Sequence, residues 1–316
     1  MTGASGFLGR AVTEALVRHG HTVRALTRSR PDPASVAAGV EPWLADLRVA
    51  DLAPALAGID AVVHGAAVLA GDVMEQFQGT VLPTERLLEA MVRVGPRRLV
   101  LVSSFSVYDW TAAVGELHER SALEPRLEKR DGYTVAKIWQ ERLCRRYAEA
   151  EGLCLSVLRP GFIWSDERRW VAGAGIRLGG TLVVNGPLRR LPLTHVENCA
   201  DCVALSVSAE AANGETINVV DSDSTRAWHY AGALVRDPAT GIARRIALPY
   251  HLGLLVAWVA SAGARVLFGP RARLPGLLAP HRYRARFRSL RFPNAKAARL
   301  LAWKPRVHVG SPPGPP

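Results

Sequence analysis

Thr2-Gly3-Ala4-Ser5-Gly6-Phe7-Leu8-Gly9 opens the chain with three glycines at three-residue spacing, running straight into an apolar-periodic segment. Glycines so spaced let a turn tighten, let backbone approach a pyrophosphate, and let the following helix pack closely. Leu8, Val12, Ala15 and Leu16 fall on one helical face, and Arg18, His19 and Gly20 supply a stop. The uncapped N–H groups at that helix start suit an anion. An ordinary glycine-rich turn has the same spacing, so the residues downstream decide between the two. Only Met1 precedes Thr2, whereas such a clamp normally sits between a buried strand and a helix. The expectation is therefore that the start shown is internal, with several apolar residues upstream. Without them, two strand edges stay unpaired and the clamp is poorly anchored.

Working outward, His21 to Thr27 alternates as a strand and ends in Arg28-Ser29-Arg30. An acidic residue at that strand end favours NAD, whereas a cation accommodates the 2′-phosphate of NADP; Arg28 therefore favours NADP(H). Val40 to Leu44 is a short strand followed by Asp46, a helix spans about 49 to 56, and Ile59 to His64 is a buried strand closing on Gly65-Ala66-Ala67. Small residues there let backbone lie against a ligand, and His64 reads as a satisfied strand-end histidine. The helical region from about 73 to 94 contains Pro83, which predicts a kink or a split.

Arg98 to Val102 is an apolar strand ending in Ser103-Ser104, and Asp131 opens a helix to about Ala150 carrying Tyr133 and Lys137 four apart on one face. A phenol of ordinary pKa about 10 becomes a usable acid or base when a fixed cation stabilises its phenolate. Ser104 would hydrogen-bond the substrate oxygen. Leu155 to Leu158 is the next buried strand, followed by the turn Arg159-Pro160-Gly161-Phe162-Ile163 facing the cofactor. Strands alternating with helices make a doubly wound α/β parallel sheet that binds ligands at its C-terminal strand ends.

Beyond residue 165 the alternation changes character. Residues 173 to 185 read as irregular, a helix runs from about Asn198 through Val207, Gly214 to Val220 is a strand, and residues 293 to 302 form a last helix. The expected division is a nucleotide-binding domain over 1–165, a smaller substrate lobe over 166–308 with some elements returning to the sheet, and a disordered tail over 309–316. Leu248 to Phe268 is the most apolar stretch, with Pro249 suited to a first helical turn. His251, Ser261 and Arg265 argue against a span, leaving a lobe helix that can also touch a lipid surface. Arg271 to Arg291 interleaves arginines with aromatics, as a solvated face, an anion clamp or a membrane-surface patch.

At 316 residues, with 48% hydrophobic and 22% charged residues, the chain buries a large core. Its net charge of +12 comes with only four lysines among 40 basic residues spread along the chain, and no nucleic-acid motif accompanies it. Cys144, Cys154, Cys199 and Cys202 make neither a disulfide framework nor a paired zinc motif, which points to a reducing cytoplasm and no metal.

The glycine motif, Val102-Ser103-Ser104, Tyr133-x-x-x-Lys137 and Leu158-Arg159-Pro160-Gly161 together resemble the extended short-chain dehydrogenase/reductase family. That branch holds NAD(P)-dependent epimerases, dehydratases and 3β-hydroxysteroid-type dehydrogenases. The resemblance implies that Tyr133 is the general acid/base and Ser104 holds the substrate oxygen. Lys137 would bind the nicotinamide ribose and lower the tyrosine pKa. Cofactor contacts would come from Gly3, Ser5, Gly6, Phe7 and Leu8, from Arg28, from Asp46 and Leu47 at the adenine, from Ala66 and Ala67, and from Pro160, Gly161 and Ile163. It also implies a homodimer through helices beside the Tyr133 helix. Ser104-Phe105 departs from the dehydratases, and Asp109 and Pro83 depart from sugar epimerases. The expectation is hydride transfer on a secondary alcohol or ketone of a sterol-like or sugar-like small molecule. Sugar-nucleotide epimerisation is the alternative on the same fold. An inactive cofactor-sensing protein is the alternative of another class, against which the retained Tyr/Lys pair argues.

Overall fold

The computed structural model describes residues 1–32, 34, 36–221, 225–269 and 276–310. Its larger layer starts with α1 (Phe7–Arg18), β1 (Val23–Thr27), β2 (Val40–Leu44), α2 (Ala53–Leu56) and β3 (Ala61–His64). It continues through α3 (Val73–Val94), β4 (Arg98–Val102), α4 (Gly132–Glu151) and β5 (Cys154–Pro160). A second lobe holds β6 (Phe162–Trp164), β7 (Ile176–Leu178), β8 (Thr181–Asn185) and β9 (Leu193–His195). After α5 (Val196–Ser208) and β10 (Thr216–Val219) come α6 (Ala227–Arg236), β11 (Arg244–Leu248), α7 (Tyr250–Phe268), α8 (Pro280–Phe287) and α9 (Ala295–Leu301).

β10-β5-β4-β3 and β1-β2 are all parallel, and the two groups are joined at the first two residues of the chain. Thr2 bridges Leu26 of β1 on one side and His64 of β3 on the other. Thr2 N donates to Val63 O at 2.9 Å, Leu26 N to Met1 O at 2.9 Å, and Gly65 N to Thr2 O at 3.2 Å. The clamp is thus tied on both sides, better anchored than the sequence predicts. A cleft of about 550 Å³ lies beside Met1, between β1 and β3. The main core is layered on both faces of the sheet. Val12, Leu16, Val100, Val203 and Ile217 lie on one side, and Leu87, Leu88, Met91, Leu99 and Leu155 on the other.

Three expectations need correcting. α3 is one helix of 22 residues that runs through Pro83, so it is not split there, with Asp72 and Glu75 forming a capping box and Gly95 closing it. Gly79, one turn before Pro83, gives the backbone freedom to tilt the carbonyl that the proline ring would strike. α2 is a single turn over Ala53–Leu56, because Asp51 accepts from Ala53 N and Pro54 follows, fixing a later start. Residues 173 to 185 contain an antiparallel hairpin, β7 with β8, extended by β11 into a second sheet. β10 returns to the main sheet beside β5. Arg271, Arg273 and residues 311–316 of the expected tail lie outside the described residues.

Candidate active site

A cavity of about 1060 Å³ runs along the C-terminal ends of the main strands, between that sheet and the lobe. One wall is backbone. Gly3 has φ +73°, and a Cβ there would sit 2.9 Å from Ala66 N. A Cβ on Gly9 would lie 1.9 Å from Gly3 O, so the turn and the first helical turn fit only without side chains. α1 starts at an N-cap Gly6 that offers no side chain to its N–H groups, and its first turn carries no acid. Ser5, Gly6, Phe7 and Leu8 face the cavity there. Positive helix-end potential and bare donors against a side-chain-free cradle fit a dinucleotide pyrophosphate.

Arg28, Asp46, Leu47, Ala66, Ala67, Gly161 and Ile163 also line the cavity, with Ser104, Tyr133 and Lys137. Pro160 does not: it is buried at the end of β5, paired with Val219, so the turn presents Gly161 instead. Arg48 was not foreseen. It grips the Asp46 carboxylate with Nε at 3.0 Å and Nη2 at 2.6 Å, and these bonds hold Asp46 down to about 2. The D-x-R spacing, with Arg48 N donating to Asp46 Oδ1, was the available signal.

At the other end, Ser104 is extended at the close of β4, and Tyr133 stands beside it in the first turn of α4. Burial raises the Tyr133 phenol above its usual value, the neighbouring Ser104 hydroxyl opposes this, and Asp131 adds to it. One turn further along α4, Lys137 Nζ donates to Val102 O and to Gln140 Oε1, both at 2.8 Å. Burial brings Lys137 down to about 8.

Behind Lys137 stands a buried polar network. Thr84 gives its proton to Thr80 O at 2.6 Å, so His64 Nε2 donates to Thr84 at 2.8 Å and His64 Nδ1 accepts from Thr2 at 2.7 Å. Burial, then the Lys137 charge, push this imidazole down to about 3, so it is neutral and structural. Gln140 Nε2 donates to Thr84 at 2.9 Å and so links the histidine to Lys137. Ser103 donates to Glu141. Arg159 completes that carboxylate with Nε at 2.8 Å and Nη2 at 2.5 Å, and lies 4.6 Å over the Tyr108 ring. Burial alone would raise Glu141, but the Arg159 and Ser103 bonds outweigh it and hold it below its usual value.

The lobe side of the cavity adds Phe105, Trp110, Trp170 and Val171, with Arg130, Arg168 and Arg286 at its edge. Arg130 is committed to Glu124 at 3.3 Å and to Ser106 O at 3.1 Å, while Arg168 lies 5.0 Å over the Phe7 ring. Among the described residues no group of His, Cys, Asp and Glu could hold a metal ion. The four cysteines are free, and burial raises Cys144 to about 12, which makes it an inert core thiol.

The sequence profile of the NAD dependent epimerase/dehydratase family matches residues 1–220. The 4-hydroxy-2-methyl-3-oxo-4-farnesyl-3,4-dihydroquinoline-1-oxide ketoreductase of Stigmatella aurantiaca is 29% identical over 286 residues, 88% of this chain and 83% of that protein. The 3 beta-hydroxysteroid dehydrogenase/Delta 5-->4-isomerase of Mycobacterium tuberculosis is 30% identical over 176 residues, 52% of this chain and 47% of the relative. That match spans about half of each protein. Among solved structures, UDP-glucuronic acid 4-epimerase from Bacillus cereus in complex with NAD is similar with a TM-score of 0.69 at 19% identity, covering 98% of this chain and 93% of the other. At that identity the likeness speaks to the fold alone.

Proposed function

Because the chain belongs to the NAD dependent epimerase/dehydratase family, we propose that it is a nicotinamide-dependent oxidoreductase interconverting a secondary alcohol and a ketone on an apolar small molecule. The observation that carries this is that Ser104 and Tyr133 meet in the wall of a cavity whose other end is the glycine cradle, close enough for the Ser104 hydroxyl to lower the phenol's pKa. When bound, the nicotinamide supplies or accepts the hydride. Ser104 holds the substrate oxygen and Tyr133 gives or takes its proton, with the pair positioned by two adjacent elements, β4 and α4. Lys137, tied to Val102 O and Gln140, is held ready for a ribose hydroxyl and keeps a positive charge beside the site. Gly3, Gly6 and the start of α1 hold the pyrophosphate.

NADP(H) is the favoured cofactor. Arg28 and Arg48 stand at the Asp46 end, and Asp46 is already saturated by Arg48, which leaves the cation at β1's end to meet a 2′-phosphate. An apolar ketone is supported by Phe105, Trp110, Trp170 and Val171 in the lobe half of the cavity, and by the substrates printed in the names of the Stigmatella and Mycobacterium relatives. Besides cofactor and substrate, the reading includes two surfaces: the exposed side of α7 toward lipid, and Leu82 and Trp139 on the α3–α4 side toward a second copy.

The test is nicotinamide absorbance with NADPH and NADH in parallel against prenylated quinolones, steroid ketones and sugar nucleotides. Oxidation of NADPH by an apolar ketone is the expected result. Turnover of a sugar nucleotide with retained cofactor and no net absorbance change replaces this reading with epimerisation. A single-chain mass in solution removes the second copy.

A further inference from the structure

Helix α7 is built inside out for a protein surrounded by water. Its small residues Gly253, Ala257 and Ala264 are buried, whereas Leu255 is 57%, Val259 63% and Val266 84% exposed. Leu252, Val256 and Trp258 are exposed beside them. At 100° per residue these six cover the outer half of the helix, the half that a solvated helix gives to polar side chains. The inner half is fixed: a Cβ on Gly253 would lie 2.0 Å from Tyr283 Oη, and that hydroxyl donates to Asn185 at 3.0 Å. α7 is therefore pinned to α8.

We infer that the outer face of α7 docks on a lipid bilayer bearing anionic headgroups, lying in its surface. Three observations favour lipid over a second copy of the chain. The apolar face is broad, not the narrow seam of a helix pair. A helix of 19 residues is about 28 Å long, and a contact about 10 Å wide along it covers only about 300 Å² per partner, well short of a stable dimer. Its flank is cationic: Arg265 is exposed on α7, and exposed Arg284 of α8 is close enough to lower the Tyr250 phenol's rise. Neither arginine is in an ion pair among the described residues. The net charge of +12 acts in the same direction. The helix has the length and hydropathy to cross a membrane, but one side is packed on Tyr283, so it lies along the surface.

α8 carries Tyr283 against α7 and Ala285 and Arg286 into the cavity wall, which sets the cavity beside the lipid face. Only this last link rests on the proposed apolar substrate; the surface stands on its own residues.

Vesicle flotation tests it without substrate or turnover. The full chain should float with phosphatidylcholine vesicles containing phosphatidylglycerol and less with phosphatidylcholine alone. Leu255→Glu with Val259→Glu should weaken partitioning roughly tenfold or more at an unchanged melting temperature. Leu252→Ser with Val266→Ser provides an independent disruption of the same face. Arg265→Gln with Arg284→Gln should remove the dependence on phosphatidylglycerol. The inference is overturned if the wild type floats with neither vesicle, or if both apolar-face variants float as it does. A dimer that those variants disperse, with no vesicle binding, assigns the face to a second copy instead.

Discussion

One arginine–carboxylate pair lines the cavity at its Asp46 end, another is buried behind Ser103 at the Tyr133 end, and the two are opposites. Asp46–Arg48 lies at a loop, with Arg48 59% exposed, and joins neighbours two residues apart. Glu141–Arg159 is within 4% exposure on both sides and joins α4 to β5. The first is screened by water and free to rearrange around a ligand. The second is sealed, and its worth lies in what losing Arg159 would leave behind: a buried carboxylate with only Ser103 and the more distant Arg145, at 3.8 Å, beside it. The Asp46 end can therefore be edited for specificity, while the Tyr133 end is rigid and intolerant.

The largest effect should come where rigidity meets chemistry. Tyr133→Phe removes the hydroxyl beside Ser104, and kcat should fall by about 10²–10⁴-fold, with cofactor affinity nearly intact by titration. Near-normal turnover would detach Tyr133 from the reaction and with it the functional meaning of that end. Next comes the sealed pair. Arg159→Met leaves Glu141 with Ser103 as its remaining close donor, and should cost about 3–5 kcal/mol in chemical denaturation. Arg159→Met with Glu141→Leu should recover most of that loss; a double variant no better than the single would mean the pair is not what the site rests on.

Much of this was legible because it is local. The glycine spacing, the strand ending in Ser104 and the Tyr133/Lys137 turn each depend on residues within one element, and the parallel sheet follows from their alternation. What sequence could not supply is direction. Spacing puts Lys137 on Tyr133's face, but that the carbonyl at the end of β4 and Gln140 hold its ammonium is visible only in three dimensions. Glu141–Arg159 joins residues 18 apart in sequence through a pairing of helix and strand that no local pattern reports. Pro83 looked like a break because a proline's missing donor is a local rule, whereas the packing of α3 on α4 and a sound capping box are not. α7's apolarity was plain, but which half is exposed is known only once Tyr283 claims the other.

Between the two ends sits His64, and pH separates its contribution. Its folded pKa of about 3 is depressed from an unfolded value near 6.5. The unfolded chain therefore binds more protons between those values, so stability is full above about 6.5 and falls as pH drops toward 3. The loss should be on the order of a few kcal/mol. His64→Gln should flatten the stability curve in that window; a curve of unchanged slope would place the titration elsewhere.

The smallest effect belongs to the open pair's neighbourhood. Arg28→Ala should weaken NADPH binding by about tenfold, one charge-assisted contact to a phosphate, and leave NADH binding and melting temperature unchanged. Arg48→Ala should act differently, because it frees Asp46: the carboxylate loses the bonds holding it near 2 and gains reach toward a ribose hydroxyl. NADH affinity should rise while NADPH affinity falls, a crossover read from paired titrations. If both variants lower both affinities equally, the Asp46 end is as rigid as the Tyr133 end and the contrast between them fails.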